Sequence, residues 1–162
     1  MKRRALCLLA ILGVSFTTLA FAQRRVEASP NQELLLTSPD AALAANKRLA
    51  YDFWREVLEA GHLDLADKYL AENYIQHNPN VSTGRAGFVE FFSKFVKPTP
   101  IQPRVQAPLI AIVAEGNLVV MSFVREAPDP QHASSTYTTT AFDMFRIENG
   151  KIAEHWDAAP KR

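Results

Sequence analysis

Asp143-Met144-Phe145-Arg146-Ile147-Glu148-Asn149-Gly150-Lys151-Ile152-Ala153-Glu154-His155-Trp156-Asp157 sets two apolar-rich runs on either side of Glu-Asn-Gly. A turn of that composition between alternating runs reads as a β-hairpin, because asparagine and glycine tolerate the positive φ that a tight turn demands. The first run extends upstream, so residues 134–147 and 151–157 are expected as antiparallel partners. A second pair of β-branched runs precedes them, residues 104–114 and 118–125, joined by Glu115-Gly116-Asn117. Pro108 places the first of these at a sheet edge or at a bulge, since proline cannot donate to a ladder.

Further upstream the apolar period changes from 2 to 3.6. Ser38-Pro39-Asp40 reads as a helix start, with a hydroxyl cap, proline at the first helical position and an early carboxylate at the positive end of the dipole. This helix is expected to run to Gly61. It turns Leu43, Ala50, Phe53, Trp54, Val57 and Leu58 inward and Lys47, Arg48, Asp52, Arg55, Glu56 and Glu59 outward. A short helix follows over residues 63–70. The aromatic stripe Phe88, Phe91, Phe92 and Phe95 marks a third over residues 87–96, stopped by Pro98. Between them, Tyr74 to Asn80 reads as a turn or short strand. Three helices ahead of antiparallel strands make an α+β domain in which one curved, mainly antiparallel sheet wraps the helices.

The N-terminus belongs to something else. Lys2, Arg3 and Arg4 precede an apolar run and then Ala20-Phe21-Ala22, the pattern of a secretory signal peptide over residues 1–22. The expected product is an exported protein, periplasmic or secreted, cleaved near Ala22. Residues 23–37 read as a flexible leader and residues 38–162 as the domain. Cleavage removes three of the 18 basic and none of the 17 acidic residues, taking the formal charge from +1 to −2. A mildly acidic chain has no basic stripe for nucleic acid, so that partner is excluded. The apolar run, about 15 residues, falls short of a membrane span, and no membrane association is expected after cleavage. Cys7 lies inside the signal, so no thiol chemistry or disulfide is expected of the mature protein.

Asp143 is the most informative polar residue. The two-residue period puts it on one strand face with Tyr137, Phe145 and Ile147. A carboxylate among apolar neighbours has its charged form disfavoured, as a general acid or base working near neutral pH requires. The alternative is a structural pair with Arg125 or Arg146. His77 sits in a polar turn, where its imidazole could serve a substrate oxygen or simply cap the turn. In the last strand, Glu154 and Trp156 align with Ile152 and are expected on the inner face; His155 then faces solvent or an interface. A metal set of His77, Asp143 and His155 lacks a compact ligand motif, and neither a metal nor a cofactor is expected. Trp54, Phe88 and Phe92 belong to the core, with Trp54 and Phe92 also candidates for a cavity wall. No glycine-flanked nucleophilic serine and no glycine-rich phosphate loop occurs.

Two segments together carry a resemblance: Tyr74-Ile75-Gln76-His77-Asn78-Pro79-Asn80 followed by Gly84, and the hairpin from Asp143 to Asp157. Over about residues 40–158 the chain resembles a SnoaL-like protein of the NTF2-like superfamily. The resemblance implies a conical α+β fold, a deep apolar pocket between helices and sheet, a homodimer, and cofactor-free chemistry of the polyketide-cyclase kind, which is aldol condensation. It matches Asp143 to the acid/base aspartate and His77 to the histidine of the first motif. One departure is Ser122, which stands where similar sequences often carry a histidine. The expected site is therefore Asp143 and His77 as catalytic groups, with Tyr137, Trp54, Phe92, Phe145, Trp156 and Glu154 around a small apolar or carbonyl-containing ligand. The reaction would be of aldol cyclase, isomerase or hydratase type. Two other readings are a non-catalytic small-ligand-binding protein and a dimeric accessory module.

Overall fold

The computed structural model describes residues 24–161; the expected signal peptide and Cys7 lie outside the described residues. Two short helical pieces flank the main one: α1 (Gln32–Leu35), α2 (Ala41–Phe53) running on as a π-helical segment (Trp54–Glu59), and a 3₁₀ turn (Leu63–Leu65) leading into α3 (Ala66–Tyr69). Then come β1 (Leu70–Gln76), α4 (Arg85–Phe92), β2 (Leu109–Glu115), β3 (Leu118–Pro128), β4 (Thr136–Glu148) and β5 (Lys151–Asp157). The five strands form one curved sheet in the order β1-β5-β4-β3-β2. All pairs are antiparallel except β1 with β5. The architecture is the α+β one expected, with an additional parallel strand, β1, where a turn or short strand was read.

The helix start lies two residues later than expected. Asp40 is the cap, its Oδ1 accepting from the backbone N–H of Ala42 (2.7 Å) and Leu43 (3.2 Å). Ser38 Oγ instead accepts from Asp40 N–H and shapes the approach. At the other end Gly61, with φ +73°, makes the expected left-handed stop. The π-helical segment adds about one residue per turn, which rotates the face that points inward, so Glu56 is buried rather than solvated. Its carboxylate accepts from Tyr69 Oη (2.5 Å), Lys68 Nζ (3.0 Å) and Arg55 (2.6 Å).

That network has a consequence in acid. Burial alone would raise the Glu56 carboxyl, but the Tyr69 and Lys68 hydrogen bonds outweigh it and hold it below its ordinary 4.5. A carboxyl lowered on folding contributes stability in full above its ordinary value and loses that contribution as pH falls through the lower folded value. Thermal melts between pH 6 and pH 3 are therefore expected to fall more gently in Glu56→Gln than in wild type. Parallel curves would show that the network contributes nothing to acid lability.

Other expectations shift for local reasons. The leader is not loose within the described residues: Val26 N–H bonds Thr138 Oγ1 (2.9 Å), Ser29 N–H bonds Leu109 O (2.8 Å), and Leu36 is buried. β2 begins at Leu109 rather than residue 104, because the N–H groups of Val105, Gln106 and Ala107 are taken by Tyr51 Oη and the Glu59 carboxylate. α4 starts and ends earlier than its aromatic stripe suggested, leaving Phe95 exposed. The core sits between α2, α4 and the inner face of β3 to β5. At its centre Phe53 meets the rings of Tyr69, Phe88 and Phe145 at 5.8–5.9 Å.

Candidate functional site

One irregularity in the sheet decides which side chains reach its inner face. Ile147 pairs with Ile152, but Arg146 pairs with Glu154, so β5 carries one extra residue at this point. The bulge at Ala153 resets the alternation. Ile152 points inward, and so do His155 and Asp157, opposite Phe145 and Asp143. The expectation that His155 faces solvent is thus overturned: the residue is buried and Glu154 and Trp156 take the outer face.

The inner face of β4 and β5, the end of β1 and the helices enclose a cavity of about 260 Å³. Its wall is aromatic: Phe53, Trp54, Tyr74, Phe88, Phe92 and Phe145. At one end the polar groups Gln76, Asn78, Asp143, His155 and Asp157 converge. Among the expected site residues, the structure brings Asp143, Trp54, Phe92 and Phe145 together here.

The other four lie elsewhere. His77 is on the outer face, its ring stacked on Trp156 at 5.0 Å and its Nε2 2.7 Å from Glu154 Oε1. Glu154 also accepts from Arg146 Nε at 2.7 Å. These two bonds, His77 first, hold the Glu154 carboxyl below its ordinary value. Tyr137 shares the two-residue period of Asp143 but stands six residues along the strand, about 20 Å away at 3.3 Å per residue. It borders a separate surface groove with Arg25 and Glu126.

The hydrogen bonds at the polar end fix where the protons are. Asn78 backbone N–H donates to Gln76 Oε1 (2.9 Å), so that atom is the acceptor and the Gln76 amide nitrogen donates to Tyr74 Oη (2.9 Å). His155 Nδ1, 2.9 Å from Gln76 Oε1, must then carry a hydrogen. Its Nε2 lies 2.9 Å from Asp143 Oδ1. One proton belongs in that gap, either on the imidazole or on the carboxyl. Asn78 is oriented in the same way, its Oδ1 accepting from Asn80 N–H (3.0 Å) and its Nδ2 donating to Asp157 Oδ2 (2.7 Å). Asp157 Oδ1 accepts from Ala159 N–H (3.0 Å), which leaves Asp157 a pure acceptor.

Among the described residues, two groups at this end of the cavity are open to a ligand. Asp143 Oδ2 receives no donor, and the Tyr74 hydroxyl, which accepts from Gln76, donates to nothing. Burial, and then the carboxylates of Asp157 and Asp143, push Tyr74 well above the usual tyrosine range, so it keeps its proton. The end of the cavity therefore offers an open carboxylate oxygen, a proton shared by Asp143 and His155, and a hydroxyl donor. His77, Asp143 and His155, the metal set considered from sequence, do not come together, since His77 is on the other face. Asp143, His155 and Asp157 do bring one ligand atom each within 4.8 Å. A cation between them would have to displace the shared proton and compete with the donors already on both oxygens of Asp157.

Tyr74, Gln76, Asn78 and Asp157 were missed from sequence. The first three do carry a signal: they alternate at two-residue spacing, the mark of one strand face.

Comparison with known proteins adds the following. The model of the SnoaL-like domain family matches residues 51–155. No curated protein matches the chain. Among solved structures, a candidate polyketide cyclase from Acidithiobacillus ferrooxidans is 20% identical, with 75% of this chain and 89% of that chain covered and a TM-score of 0.49. An LEH-like epoxide hydrolase from M. tuberculosis is 16% identical over 72% of this chain and 83% of its own, at a TM-score of 0.49. IdmH, a candidate polyketide cyclase from Streptomyces antibioticus, is 19% identical over 69% and 89%, at 0.46. Identities this low carry no residue roles into this chain.

Proposed function

The chain belongs to the SnoaL-like domain family, and from that premise we propose that its aromatic cavity is the active site of a cofactor-independent enzyme acting on a small carbonyl compound. The observation that carries this reading is the pair Asp143 and His155, 2.9 Å apart in the lining of the cavity, with Asp143 Oδ2 free of any donor among the described residues. Asp143 Oδ2 takes a proton from the carbon next to the carbonyl. His155, held by Gln76, steadies the carboxylate and returns a proton. The Tyr74 hydroxyl donates to the carbonyl oxygen, where negative charge develops. Tyr74 thus takes the place at the substrate oxygen that was expected of His77. Aldol cyclisation and isomerisation share this proton abstraction, and hydration of a double bond beside the carbonyl runs it in reverse.

The step is measurable without the natural substrate. Aryl methyl ketones incubated with the protein in D₂O should gain deuterium at the methyl carbon, followed by NMR. A wild-type protein that exchanges none of them overturns the reading.

Among the described residues no helix is long and apolar enough to cross a membrane. We propose export with cleavage after Ala22, on the pattern of residues 1–22, and a homodimer, on the family resemblance. Intact mass and sedimentation of the protein recovered from its producing cells check both. A product that retains residues 1–22 overturns the first, and a monomer at micromolar concentration the second.

A further inference from the structure

The charges of the cavity do not balance. Two carboxylates, Asp143 and Asp157, share its polar end with one imidazole, and neither Lys nor Arg is among the lining residues. With the single shared proton counted, the lining carries a net charge of −1. The nearest arginine on β4, Arg146, is on the outer face and occupied by Glu154 and Glu148. Asp143 and Asp157 are half-buried, where a partly desolvated charge gains from a partner, and no cationic partner stands in the lining. The rest of the wall is Leu58, Val81 and six aromatic side chains, whose ring faces attract positive charge.

We infer that the ligand supplies the missing charge: the substrate class is a carbonyl compound bearing a protonated or quaternary amine, its cationic group beside Asp157 and against the aromatic wall. The carbonyl half of this inference rests on the acid–base reading above; the amine half rests on the charge count. A divalent cation is the less favoured partner. Asp157 already accepts on both oxygens and the Asp143 to His155 gap already holds a proton, while an organic cation uses the rings that a metal would leave idle. The same charge disfavours carboxylated and phosphorylated ligands.

The test titrates the full chain, at neutral pH and low salt, with three acetophenones that differ only at the para position: trimethylammonium, tert-butyl and carboxylate. The first two have nearly the same shape. The cation is expected to bind about tenfold more tightly than the tert-butyl compound, and the carboxylate about tenfold more weakly. Asp157→Asn is expected to narrow the gap between cation and tert-butyl. Equal affinities for those two, tighter binding of the carboxylate, or failure of the cation to bind overturns the inference. So does tight Mn²⁺ binding, read as paramagnetic broadening at Asp143, His155 and Asp157, under conditions where the organic cation does not bind. Deuterium gain in the same samples separates the two claims. The affinity order without exchange sinks the acid–base reading alone, and exchange with charge-blind affinities sinks this inference alone.

Discussion

Asp143→Asn lowers the rate of deuterium exchange into a bound ketone by about 10²–10⁴-fold, the range over which a positioned general base acts. The amide keeps the size of the carboxyl, but its atom at the Oδ2 position can no longer take a proton. The neighbours that hold it are little disturbed: Gln76 still accepts from His155 Nδ1, and Phe145 still lies tilted against the imidazole at 5.1 Å. Ligand affinity and thermal stability should therefore change far less than the rate. A variant that exchanges as fast as wild type would remove Asp143 from the chemistry. One that loses binding and rate in equal measure would make it a binding group instead.

Phe53→Ala is expected to be the most costly single truncation, about 3–5 kcal/mol in urea unfolding, the range for removing a buried ring. Phe53 is 1% exposed and touches three other aromatic rings, drawn from α3, α4 and β4. Those elements are separated in sequence and rigid where they meet it, so the space left behind cannot close. Against a typical total of about 5–15 kcal/mol, such a loss takes a large share of the stability. A loss under about 1 kcal/mol would mean that the ring is a yielding part of the cavity wall rather than part of the core.

Much of this molecule is legible along the chain because its determinants are local. The Glu148-Asn149-Gly150 turn, the two-residue period of β4 and the stop at Gly61 all act within a few residues of where they are read. That is why Asp143 could be placed on the inner face beside Phe145. What escaped the reading depends on distant partners. β1 is a strand because it lies against β5, and nothing within Leu70 to Gln76 announces a parallel neighbour so far along the chain. His155 was placed outward by a correct rule applied across a bulge that the rule cannot see. His77 was drawn inward by its family motif, although Gln76 and Asn78, one residue either way, hold the inner positions. The proton count in the site was also beyond the sequence, since it follows from two amide orientations that backbone donors at Asn78 and Asn80 impose.

The pairing of β1 with β5 also orders events during synthesis on the ribosome. Gln76 and Asn78 meet His155 and Asp157 across 79 residues, and β5 is the last strand of the sheet to leave the exit tunnel. Until it docks, the imidazole has no tautomer lock, and the cavity lined by Trp54, Phe88 and Phe92 lacks its polar end. Parallel strand pairing over such a separation is intrinsically slow, because the entropy of closing the loop is lost before the contacts form. The polar end of the site is therefore the final part of the domain to form, and a nascent chain shorter than Asp157 carries an open aromatic trough for chaperones to shield.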